Sequence, residues 1–181
     1  EDALTGEGGD DWAEGRAQEP PEGSTGALRV AVIGDSLAHN LAGGLATWAE
    51  ERGDVVVYDL SVSFCPLSRG GARRWEEGHS FEVNSGCSWW NDEWSERATN
   101  LRAFAPDVIV NAAGFSEMLD RYQYEWDEWR RPGDTEYHQW LLREYDAMFS
   151  ALDEVSASGP RHLTINAPCG DFSRPRGWRR V

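Results

Sequence analysis

Ser36 follows Gly34-Asp35 and precedes Leu37, where the apolar run Leu28-Arg29-Val30-Ala31-Val32-Ile33 gives way to Leu37, Leu41, Leu45 and Trp48 at helical spacing. A serine at the carboxyl end of a strand that is apolar on both faces stands where open α/β sheets bind ligands. A helix starting there turns free N–H groups and the positive end of its dipole toward negative charge. The chemistry that fits is acyl transfer through a serine nucleophile, with Ser36 and Asp35 as the candidate catalytic residues. The same residue types also cap helices, so this short pattern by itself leaves both roles open.

The elements that must position Ser36 alternate along the chain. Asp54–Tyr58 is predicted as a second strand, Glu93–Phe104 as a helix ending before Pro106, and Asp107–Asn111 as a third strand. Trp140, Leu141, Leu142, Tyr145, Met148, Phe149 and Leu152 predict a long amphipathic helix ending near Ser158-Gly159-Pro160, followed by a strand at His162–Ile165. This alternation implies a parallel sheet with helices on both faces.

With 181 residues and 40% hydrophobic content, the chain suits one domain with a substantial core. Its net charge of −15 opposes nucleic acid and anionic membrane surfaces as partners. No stretch approaches the roughly 20 apolar residues of a membrane span. Residues 1–26 are rich in Glu, Asp, Gly and Pro and are read as a disordered acidic linker, with the folded domain at 27–181. Because the sequence opens on Glu1, a preceding region in a longer protein is expected.

Cys65, Cys87 and Cys169 lack metal-ligand spacing, so neither zinc nor another metal is expected, and no cofactor motif occurs. The choice is between free thiols and one disulfide with one thiol left over. Cys65–Cys87 is the favoured pair, because both lie in the long polar segment between the second strand and the next helix. A crosslink closing about 20 residues contributes about 3 kcal/mol in the chain-entropy model, and such bonds persist mainly outside the cytosol.

Taken together, strand-Gly34-Asp35-Ser36-Leu37-helix and Pro106-Asp107-Val108-Ile109-Val110-Asn111-Ala112-Ala113-Gly114-Phe115-Ser116-Glu117 resemble the first and third sequence blocks of SGNH (GDSL-type) hydrolases. The resemblance implies a three-layer α/β/α sandwich with a parallel, flavodoxin-like sheet, and a serine esterase or acyltransferase activity with Ser36 as nucleophile. It implies an oxyanion hole from Ser36, Ser63, Gly114 and Ser116. Ser116 and Glu117 stand where the family's Gly-x-Asn-Asp block has Asn and Asp, and Ser63 or Phe64 stands where its second block has glycine. The family's base, in an Asp-x-x-His block after the last strand, has no match in the 181 residues. The domain is therefore expected to be C-terminally incomplete, and His39, one turn from Ser36, is a substitute candidate.

Gly43-Gly44-Leu45-Ala46-Thr47-Trp48-Ala49, Cys65-Pro66-Leu67, Gly114–Arg121 and Ala167-Pro168-Cys169 further resemble SGNH domains attached to bacterial membrane acyltransferases of the acyltransferase-3 type. That resemblance implies an extracytoplasmic domain, tethered through its linker to a membrane acyltransferase in the same polypeptide, and an acylated cell-surface carbohydrate as substrate. The alternative is a catalytically weakened module of such an enzyme that binds glycan. Trp89, Trp90 and Trp94, and Tyr122, Tyr124, Trp126 and Trp129, serve either as loop anchors or as sugar platforms. Arg121, Arg130 and Arg131 beside Glu125, Asp127 and Glu128 read as solvated surface pairs.

Overall fold

The computed structural model describes residues 26–76, 79–155 and 159–165. Strand β1 (Leu28–Gly34) leads into helix α1 (Ser36–Arg52) and β2 (Val55–Asp59). There follow β3 (Ala72–Glu76), β4 (His79–Glu82), a 3-10 helix (Ser85–Asn91), α2 (Glu96–Phe104) and β5 (Val108–Ala112). A second 3-10 turn (Phe115–Met118), β6 (Asp120–Tyr122), α3 (Thr135–Asp153) and β7 (Arg161–Ile165) complete the described chain. Residues 1–25 of the predicted linker, and Cys169, lie outside the described residues.

Four strands pair in the order β2-β1-β5-β7, all parallel. Central strand β1 is buried on both faces, which explains its unbroken apolar run. Val30, Val32, Val110 and Ala112 pack under Ala38, Ala42 and Ala49 of α1. On the opposite face Ala31, Ile33 and Ile109 meet Leu101 and Phe104 of α2 and Met148 and Leu152 of α3. The result is the expected three-layer α/β/α arrangement. On the α1 side, Leu163 and Ile165, in register with Val110 and Ala112, remain exposed.

The polar segment after β2 departs from its reading as one long loop. Strands β3 and β4 form a hairpin inside it, and β3 also pairs antiparallel with β6, giving a second sheet in the order β4-β3-β6. Arg73 pairs with Phe81 on one side and Arg121 on the other. Such a strand carries no apolar alternation, because Arg73 is buried while Trp75, two residues on, is exposed.

Candidate active site

Ser36 is the first residue of α1 and is exposed. The turn that presents it depends on two glycines. Gly34 has φ of 141°, and a Cβ there would stand 2.0 Å from the Ala112 carbonyl oxygen, so only glycine lets β1 end against β5. Asp35, buried, is the N-cap: its Oδ1 accepts the Leu37 N–H at 2.9 Å. Its Oδ2 accepts the N–H groups of Gly114 at 3.2 Å and Ser116 at 3.3 Å. A Cβ on Gly114 would fall 2.6 Å from Asp35 Oδ1, so this glycine lets the carboxylate reach the loop.

Asp35 is thus a tether that fastens the loop after β5 to the turn bearing Ser36. It engages the backbone amides of two residues expected in the oxyanion hole. The backbone N–H groups of Gly114 and Ser116 are committed to a carboxylate 79 and 81 residues away in the chain, and an amide already serving one anion has little left for a second. Ser63 behaves differently. Cys65 N–H bonds to the Val62 carbonyl at 3.1 Å, so Ser63 and Phe64 are the central residues of a tight turn. Phe64 has φ of 60°, the left-handed conformation that glycine favours at this turn position. The N–H groups of Ser63 and Phe64 have no backbone partner among the described residues.

That turn is fixed from several directions. Val62 N–H bonds to the Gly34 carbonyl at 2.8 Å, and a disulfide joins Cys65 to Cys87 with Cα atoms 5.0 Å apart. Trp90 Nε1 donates to the Leu67 carbonyl at 3.0 Å. The Glu117 carboxylate accepts both the N–H and the hydroxyl of Ser68 at 2.8 Å each. Glu117 in turn takes the Tyr137 hydroxyl on its carbonyl at 2.7 Å. Burial, followed by the nearby Glu117 charge, pushes the Tyr137 hydroxyl well above its ordinary pKa.

Arg121 corrects the surface reading given to it. It is 2% exposed, and its Nη2 donates to the Ser68 carbonyl and Oγ, both at 3.1 Å. The reason is its pairing with β3, which directs the guanidinium under the hairpin and over the Trp140 ring at 5.1 Å. Arg130 does pair with exposed carboxylates of Asp127, Glu128 and Glu136. Next to Arg121 lies Arg73, 7% exposed, whose Nε and Nη1 find no hydrogen-bond partner among the described residues. Nothing in the sequence singles out Arg73: it reads as one more arginine in a glycine- and arginine-rich segment.

His39 stands in the first turn of α1, at the same sheet edge as Ser36. Its Nδ1 meets Asp59 Oδ2 at 2.7 Å, and Asp59 Oδ1 is held by the N–H of Ser61 at 2.9 Å. Of the other histidines, His162 sits between Asn111 and Asp153 on β7. His79 and His138 lie on β4 and α3.

Trp89, Trp90 and Trp126 are buried anchors, whereas Trp94 and Tyr124 are exposed. Among the described residues no group of three His, Cys, Asp or Glu side chains is arranged to hold a metal ion. No helix among them is long and apolar enough to cross a membrane.

No curated protein matches the chain significantly. A family model described as an SGNH domain fused to AT3 domains matches residues 5–179. That match spans nearly the whole sequence and agrees with the parallel sheet and the placement of Gly34-Asp35-Ser36-Leu37. The chain belongs to the SGNH domains that are fused to AT3 domains.

Proposed function

We propose that this domain hydrolyses or transfers acyl groups through Ser36, acting on acyl groups of cell-surface carbohydrate as part of a membrane-bound acyltransferase outside the cytoplasm. The observation that carries the reading is an exposed Ser36 at the start of α1, with its turn tied by Asp35 to the loop after β5. Ser36 Oγ attacks the acyl carbonyl carbon. Its proton passes to a base and then to the leaving alkoxide as the carbon–oxygen bond to the alcohol breaks. Water, or an acceptor hydroxyl, then takes the acyl group from Ser36 by the reverse sequence. The Ser36 N–H and the Ser63–Phe64 turn face the developing charge, while Asp35 positions rather than reacts.

The resemblance assigns the base to an Asp-x-x-His block that these residues lack. Within them, His39 is the counterpart, because Asp59 on Nδ1 leaves Nε2 for proton transfer, as in serine hydrolase relays. In the full-length polypeptide, Ser36→Ala is expected to abolish turnover of acyl esters while leaving the fold unchanged; most activity surviving in a folded variant overturns the assignment. Loss of the pH-dependent step in His39→Gln marks His39 as the base, and an unchanged profile assigns the base elsewhere. The glycan-binding alternative draws on the committed Gly114 and Ser116 amides, and it predicts carbohydrate binding that survives Ser36→Ala with no turnover in either protein.

A further inference from the structure

We infer that the phenyl ring of Phe64 is the platform on which the sugar ring of an acylated carbohydrate rests while its acyl group is presented to Ser36. The inference deepens the acyl-transfer reading of Ser36 and rests on it. Its starting point is a conflict within one residue. Phe64 has φ of 60°, a conformation that a bulky side chain resists and that glycine or asparagine takes readily. The same side chain is 63% exposed, so core packing does not hold it there. A single exposed apolar residue needs no explanation, whereas one that strains its own backbone and buries little points to a use outside the fold.

The place of Phe64 in the fold supplies that use. The segment after β2 runs beside the end of β1, with Leu60 N–H on the Val32 carbonyl at 2.9 Å and Val62 N–H on the Gly34 carbonyl at 2.8 Å. Gly34 stands two residues before Ser36, and Val62 two residues before Phe64. The same segment is bonded to the first turn of α1 through Asp59, which meets His39 at 2.7 Å and accepts the Ser61 N–H at 2.9 Å. These bonds bring Phe64 to the sheet edge that carries the exposed Ser36, and the Cys65–Cys87 disulfide anchors the residue that follows it. Trp48, Trp75 and Tyr124 are exposed as well, but each is engaged, with Arg52, Phe81 and Glu82 respectively. The Phe64 ring meets no other ring and no guanidinium among the described residues. In an acylated carbohydrate the alcohol is the bulky half of the ester, and an exposed ring at the rim offers a flat apolar face to the C–H face of a pyranose. The backbone of the turn thus serves the carbonyl oxygen, and its one large side chain serves the sugar.

The test compares two acetyl donors on the full-length polypeptide: glucose pentaacetate, which carries a pyranose, and vinyl acetate, which carries no ring. The quantity read is the ratio of kcat/KM for the two, from acetate release. Phe64→Gly keeps the left-handed turn and its N–H groups and removes only the ring. In this variant the preference for glucose pentaacetate is expected to fall by about tenfold or more, carried by KM. Its melting temperature is expected to be no lower than the parent's, since strain has been relieved. Phe64→Asn, which also accepts the turn, is expected to match it, and Phe64→Tyr, which restores the ring, to retain the preference. An unchanged ratio in Phe64→Gly and Phe64→Asn overturns the proposal, and equal losses on both donors place the ring against the acetyl group instead. So does a large fall in melting temperature or loss of all turnover in both variants, which marks the ring as structural. Failure of the nucleophile reading shows separately, as turnover that survives Ser36→Ala; a parent that turns over neither donor removes that reading and the inference with it.

Discussion

Gly114→Ala tests whether the Asp35 tether organises the site. The added Cβ would lie 2.6 and 2.9 Å from the two Asp35 carboxylate oxygens and 3.1 Å from Cγ. Separations below 3.0 Å force movement, and the carboxylate is the side that yields. Its displacement breaks the bonds from Gly114 N–H at 3.2 Å and Ser116 N–H at 3.3 Å, while the bond from Leu37 N–H survives. Hydrogen bonds to a charged group contribute about 1.5–3 kcal/mol each. Reduced freedom of the unfolded chain returns about 0.4–1 kcal/mol. The net loss is about 2–5.5 kcal/mol, which at about 2–4 °C per kcal/mol for a domain of this size lowers Tm by about 4–22 °C. Urea unfolding followed by tryptophan fluorescence measures it. Gly43→Ala is the control: nothing lies within 4 Å of its Cβ in mid-helix, so it is expected to raise stability by about 0.5–1 kcal/mol. A Gly114→Ala protein within about 0.5 kcal/mol of the parent would refute the tether, because surface substitutions away from such features lie in that range.

Reduction of the Cys65–Cys87 bond, separated by 22 residues, is expected to cost about 3 kcal/mol in the loop-entropy account; equal urea midpoints with and without reductant would contradict this. Burial raises the hydroxyl pKa values of Tyr58, Tyr137 and Tyr145 above the ordinary 10.0. Their stabilising effect is full below the unfolded value and is lost as pH rises above it, because the unfolded chain then releases protons that the native state retains. Stability is therefore expected to hold up to about pH 10 and fall beyond it, with tyrosinate absorbance from these residues emerging only as the chain unfolds; gradual ionisation in the native state would count against their burial.

The parallel sheet was legible because its signals are local. The buried run before Gly34 and the helical spacing after it need no distant partner to be recognised, and Asp35 did turn out to cap α1. The third strand shifted by one residue, to Val108–Ala112. Helix α3 begins at Thr135, five residues before the apolar stripe at Trp140 becomes evident, and Tyr137 already lies on its buried face.

The second sheet was illegible for the opposite reason. Strand β3 pairs with β4 in a hairpin and with β6 far along the chain, and its buried residues are the small Ala72 and the charged Arg73. The burial of Arg121 and Arg73 follows from that pairing, so charge alone put Arg121 on the surface. The use of the Gly114 and Ser116 amides was equally hidden. A glycine near the nucleophile fits an oxyanion donor and a contact for Asp35 alike, and only three-dimensional proximity separates them.

The most direct test of the central claim is to find where an acyl group lands. The chain is incubated with 4-nitrophenyl acetate and its peptides are mapped by mass. 4-Nitrophenoxide departs without needing a proton, whereas hydrolysis of the acetyl-serine needs a base to activate water, so a chain with a weak base is expected to accumulate the intermediate. The account predicts one acetyl group on the peptide containing Ser36, absent from Ser36→Ala. Acetyl groups spread over other side chains, with Ser36 unmodified, would contradict it.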